Sequence, residues 1–177
     1  MEFLRYITIT ITFITIFVAW RFSDWRNWRN YYSTILFTIA LNLAVTLLTY
    51  NNSLWYFHET LFLPNHVLTD LWMKFVYFPA LILIYLSHYP FKKRLIKQAG
   101  YILIWTLLWG VVEGFYVLVE LTTHHNGWNM WWSALIWVLM FVFIRLHLTR
   151  PQLTWFLCFI ITVFMIGLFN IPITELK

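Results

Sequence analysis

Apolar residues in this chain fall into runs of nearly equal length, separated by short polar connections. The runs extend from Phe3 to Trp20, Tyr31 to Tyr50, Asp70 to Tyr89, Tyr101 to Leu121, Met130 to Leu148 and Leu153 to Phe169. A helix needs about 20 mainly apolar residues to cross the hydrocarbon core of a bilayer, and about 17 to 25 suffice. Each run is therefore expected to form one membrane-spanning helix. The first run alternates Ile and Thr from Ile7 to Thr12, a period suited to a strand. A lone strand cannot satisfy its backbone in hydrocarbon, and no barrel-like repeat follows, so helix is the reading there too. That run ends in Val18, Ala19, Trp20 and Arg21 without a small-residue cleavage pattern, which makes it a retained helix and not a signal peptide. Pro151 and the arginines beside it divide the last two runs by a turn.

The connections differ in charge. Arg21, Arg26 and Arg29 lie in the first, Lys92, Lys93, Arg94 and Lys97 in the third, and Arg145 and Arg150 flank the fifth. The second and fourth contain neither lysine nor arginine. Six spans put the basic connections on one face and the neutral ones, with both termini, on the other. Excess Lys and Arg marks the cytoplasmic face, so both termini are expected to be non-cytoplasmic. The neutral connection from Asn51 to Thr69 carries Leu54, Trp55, Tyr56, Phe57, Leu61, Phe62 and Leu63, which suit an interfacial helix or hairpin ended by Pro64. The expected fold class is an all-α polytopic transmembrane bundle of about six helices. With no repeat or linker, residues 1–177 read as a single transmembrane domain.

Composition agrees. Of 177 residues, 62% are hydrophobic and 11% charged, whereas soluble domains carry about 25% charged residues. The net charge of +5 sits in the clusters between apolar runs, which speaks for a bilayer and against a nucleic-acid partner. The 12 tryptophans concentrate near run ends, as expected of interfacial aromatic belts. Cys158 is the lone cysteine, so no intramolecular disulfide is possible.

Several polar residues sit where a bilayer makes them costly. Glu113 lies near the middle of the fourth run, with Glu120 and His124 seven and eleven positions on. At 100° per residue these three share one helix face. Intramembrane carboxylates face a partner, a cavity or water. They suit a proton or cation path, or else act as ties between helices. Asp70 and Lys74, four residues apart in the third run, can pair along their own helix. Lys74 can also reach Glu113 or Glu120, or snorkel to the interface. Pro79 is expected to kink this helix. His58, His66, His124 and His125 all map to the neutral face, a residue type suited to zinc, but their spacing matches no zinc motif. Gly110 and Gly114 form a G-x-x-x-G spacing that permits close helix packing, and Asn42 suits an interhelical hydrogen bond. Asn129 or Ser133 suits the cap of the fifth helix.

No phosphate loop, nucleophile elbow or cysteine pair occurs. The leading expectation is a non-enzymatic structural or accessory membrane protein without cofactor, in contact with lipid and with a membrane-protein partner or a second copy. The alternatives are a small proton-coupled carrier using Glu113, Glu120, Asp70 and Lys74, and a metal-binding protein using the histidines.

The tract Asn126 to Ser133, followed by Arg145, Leu146 and His147, resembles an uncharacterised family of small multi-pass membrane proteins from endospore-forming Firmicutes. Leu71 to Phe75 with Pro79 is similar to the same family. The resemblance covers most of the chain and implies a bacterial plasma membrane, but no activity. The tryptophan content also invites comparison with the tryptophan-rich sensory proteins. Their five helices and proline-containing tryptophan motifs have no match here, so no ligand site carries over.

Overall fold

A computed structural model of the chain describes residues 2–59 and 62–172, with side chains from residue 6 onward. Its helices are α1 (Glu2–Phe22), α2 (Tyr32–Leu48), α3 (His66–Trp72), α4 (Phe78–Ser87), α5 (Leu95–Leu118), α6 (Met130–His147) and α7 (Pro151–Leu168). A 3-10 turn at Trp25–Asn30 precedes α2, and a π-helical turn at Met73–Tyr77 joins α3 to α4 into one rod. Two short strands complete the inventory, β1 (Trp55–Phe57) and β2 (Thr122–His124). The helical bundle expected from the apolar runs is what forms. His66–Ser87, α5, α6 and α7 are long and apolar enough to cross a membrane, and α1 and α2 supply two shorter apolar helices.

The α3–α4 rod is the most buried of the four long spans and runs through the centre. Leu81, Ile82 and Tyr85 of α4 are fully enclosed, as is Phe141 of α6. Tyrosine tolerates such depth because its hydroxyl finds a partner. The Tyr85 hydroxyl donates to the Phe141 carbonyl at 3.0 Å, and the Tyr101 hydroxyl of α5 donates to the Tyr85 carbonyl at 2.9 Å. Each helical carbonyl keeps a second lone pair for this purpose. In contrast, α7 is the least buried long span and turns Phe156, Phe159 and Phe164 outward, as a lipid-facing helix should.

The faces sort by charge as the connections suggest. The Asp24 backbone N–H donates to the Ser87 hydroxyl at 2.9 Å, which ties the first basic connection to the end of α4. Arg145 lies over the rings of Tyr89 and Phe91, at 5.5 and 4.9 Å, on the same side. On the opposite face the two neutral connections join. β1 and β2 pair antiparallel, with Trp55 opposite His124, Tyr56 opposite Thr123 and Phe57 opposite Thr122. The aromatic segment thus forms no interfacial helix over Trp55–Phe57, because aromatic and Thr residues pair well as strands once the other connection supplies an edge. Leu61, counted in that segment, lies outside the described residues.

Local chemistry explains the remaining departures. Helix α5 ends at Leu118, short of the Leu121 suggested by hydropathy. Glu120 adopts φ 58°, and the N–H groups of Leu121 and Glu120 bond the carbonyls of Tyr116 and Val117 at 2.8 and 3.1 Å. This is a left-handed termination of the Schellman type, normally built on glycine. Pro79 lies two positions beyond the end of the π turn. The Phe78 N–H reaches back five residues to the Met73 carbonyl, and the widened turn sits just ahead of the proline, whose ring would crowd the preceding turn of a regular helix. Gly110 and Gly114 bring no second backbone close. A Cβ on Gly110 would meet nothing within 4 Å, and one on Gly114 only the flexible Met130 tip at 3.7 Å. Asn42 bonds its own helix at the Thr38 carbonyl, 2.8 Å away, and among the described residues it bonds no neighbouring helix. Asn129, not Ser133, caps α6, accepting from the N–H groups of Trp131 and Trp132 at 3.0 and 3.3 Å.

Candidate functional site

Asp70 and Lys74 lie one helical turn apart at the junction of α3 and the π turn, on the neutral-connection side of the bundle. Their side chains keep only 7% and 3% exposure, which excludes snorkelling for Lys74. The ammonium bonds Asp70 Oδ2 and the Thr46 hydroxyl of α2, and that hydroxyl also donates to Asp70 Oδ2 at 3.1 Å. Lys74 therefore reaches neither Glu113 nor Glu120. An ammonium has three protons, and among the described residues two are taken.

Glu113 projects from the last quarter of α5 and collects donors from two other elements. His124 Nε2 of β2 lies 3.0 Å from Oε1, the Ser133 hydroxyl of α6 donates to the same oxygen at 2.5 Å, and Trp137 Nε1 donates to Oε2 at 2.6 Å. Trp128 Nε1 in turn donates to Ser133 at 2.9 Å. Glu113 and His124 do meet, but not by sharing a helix face. The chain reverses at Glu120, and β2 carries His124 back along α5. The same reversal removes Glu120, which is exposed and occupies the left-handed position.

Both polar groups border one cavity of about 160 Å³ beneath the β1–β2 pair. Its remaining wall is largely aromatic, including Tyr77, Trp109, Tyr116 and Trp137. Two further polar atoms on that wall, Trp109 Nε1 and Thr122 Oγ1, are buried without a hydrogen-bond partner among the described residues. Such groups are costly unless a ligand or water satisfies them. The Glu113 side chain keeps 18% exposure, so packing does not seal it. A second cavity of similar volume, about 160 Å³, adjoins the first between α2, α6 and α7. It is lined by Leu41, Val45, Leu139, Phe143, Cys158 and Ile161 among others. Asn42, Trp55, Trp128, Ile136 and Met140 border both.

A polar seam leads from this site to the basic face. Thr34, Thr38, Asn42 and Thr46 follow at four-residue spacing on α2, a rise of about 18 Å. Thr34 bonds His147 Nδ1 at 3.1 Å near the basic end, and Thr46 bonds Asp70 at the other.

The histidines disperse. His58 and His125 flank the Thr123 hydroxyl at 3.2 and 2.9 Å, His66 Nδ1 accepts the Phe57 N–H at 3.0 Å, and His124 serves Glu113. Among the described residues no three His, Cys, Asp or Glu side chains gather as a metal site.

Sequence reasoning missed Thr46, Trp137, Trp128, Trp109 and Thr122. The four-residue polar spacing on α2 and the Ser133–Trp137 spacing on α6 were the available signals, since residues four apart share a helix face.

Fold and site together define a multi-pass membrane protein with an aromatic, partly polar cavity inside its bundle. No protein-family model, curated protein or solved structure matches the chain.

Proposed function

We propose that this protein is a small proton-coupled carrier of the bacterial plasma membrane, with its basic face cytoplasmic. The observation that carries the reading is that Glu113 and the Asp70–Lys74 pair border the same internal cavity. Glu113 shares a hydrogen bond with His124, and a carboxylate–imidazole pair offers a place to hold one proton. The seam on α2 offers polar groups toward the opposite face, as a route through the bilayer requires. Reconstituted into proteoliposomes and offered a broad panel of small organic solutes, the protein is expected to drive at least one of them with a proton gradient. Glu113→Gln is expected to abolish that flux. Unchanged flux in this variant refutes the residue assignment, and absence of proton-driven flux across the panel refutes the carrier.

A structural or accessory role is the second reading. It is favoured by the three donors already on Glu113, which let the residue tie α5, α6 and β2 together without any ligand. Mild-detergent purification that always returns the protein without a partner counts against it.

A further inference from the structure

We propose that the ligand is a hydrophobic organic monocation, bound in exchange for the proton held between Glu113 and His124, with its apolar tail in the second cavity; this rests on the carrier reading. Among the described residues, the formally charged groups lining the first cavity are Asp70, Lys74 and Glu113. The first two compensate each other in a buried pair, which leaves the Glu113 carboxylate to be balanced. His124 is the nearest titratable group to it, and Tyr77 and Tyr116 are the other ionisable side chains on the wall.

A charge left without a counter-charge inside the bundle is costly. The balance is met either by a proton on the Glu113–His124 pair or by a cation in the cavity. When the cation enters, the proton leaves to water, His124 becomes neutral and the carboxylate faces the cation. One positive charge replaces another, and no bond other than N–H is broken. An anion would meet Glu113 without compensation, and a neutral ligand would have no reason to displace the proton.

The walls suit such a ligand. Indole and phenol faces attract cations, most strongly in a desolvated site. Trp109 stands near-perpendicular to Tyr77 at 5.5 Å and stacks on Trp137 at 6.0 Å, so three rings surround one end of the cavity. The adjoining cavity offers almost only carbon. A dry cavity of roughly 150 Å³ holds one benzene-sized group, so each cavity takes a head or a short tail. Met140, unbranched and adaptable, and Ile136 stand between them.

The test uses alkyltrimethylammonium ions, whose charge is fixed, titrated calorimetrically into the full-length protein in two buffers of different ionisation enthalpy. Decyltrimethylammonium is expected to bind saturably with about one proton released per cation, so that affinity rises about tenfold per pH unit while the proton is exchanged. Decanol and decanoate are expected to bind at least tenfold more weakly. Affinity is expected to grow about fourfold per methylene from the butyl to the decyl ion. Ile161→Phe, which fills the second cavity, is expected to flatten that series while sparing the butyl ion. Glu113→Gln is expected to lose both binding and proton release. Equal binding of decanol, or cation binding without proton release, overturns the proposal, as does a chain-length series unchanged by Ile161→Phe. Cation binding with proton release but no flux would refute only the carrier. Proton-driven flux of an uncharged solute, with no cation bound, would refute only this inference.

Discussion

Replacing Lys74 by methionine keeps the length of the side chain and removes its charge. Asp70 would then lie buried with only the Thr46 hydroxyl to oppose it, since both partners of the pair are almost inaccessible. Breaking a buried ion pair from one side costs about 3–5 kcal/mol. The double variant Asp70→Leu with Lys74→Met removes both charges and is expected to lie within about 1 kcal/mol of the parent, or above it. The two variants are therefore expected to differ by about 2–4 kcal/mol, the cost of stranding one charge of the pair. Reversible unfolding in mixed micelles measures both. A single variant that costs less than about 1 kcal/mol would show that Lys74 reaches water and that the pair is not buried.

Ser133→Ala removes a donor from Glu113 and leaves the Trp128 indole N–H unpaired, and is expected to cost about 1–3 kcal/mol in the same unfolding assay. Asn129→Ala strips the cap from α6 and should cost about 1 kcal/mol, with no effect on flux in proteoliposomes. Glu120→Gly places glycine at a left-handed position, so stability is expected to hold or rise by up to about 1 kcal/mol with flux retained; loss of flux would return Glu120 to the site.

Hydropathy and charge made the bundle legible because the bilayer imposes one length on every span and one sign on alternate connections. The candidate site was legible at its charged residues, which are rare enough in apolar helices to stand out. Its assembly was not. Helical periodicity grouped Glu113, Glu120 and His124 on the assumption that α5 continued, yet the chain leaves the helix at a left-handed glutamate where no glycine announced a stop. The strand pair was hidden for a related reason. Each partner is three residues long, too short for a pattern, and each becomes a strand through the other. Thr46 and Trp137 were invisible as site residues because threonines and tryptophans are ordinary in spans, and only their distance to Asp70 and Glu113 gives them a role.

The π turn at Met73–Tyr77 holds one more residue than a regular helical turn would. Five residues there cover about the angle that four cover in a regular helix, so the surplus is absorbed locally and α3 keeps the phase it would have without it. Wound as regular α-helix, the same residues would turn everything before them by roughly 100° relative to α4. Asp70 would then leave Thr46 while the core around Tyr85 stayed as it is. The register of the charged pair is in that sense held by how one turn is wound and not by side-chain chemistry, and a change that regularised this turn would lose the site with every polar residue still in place.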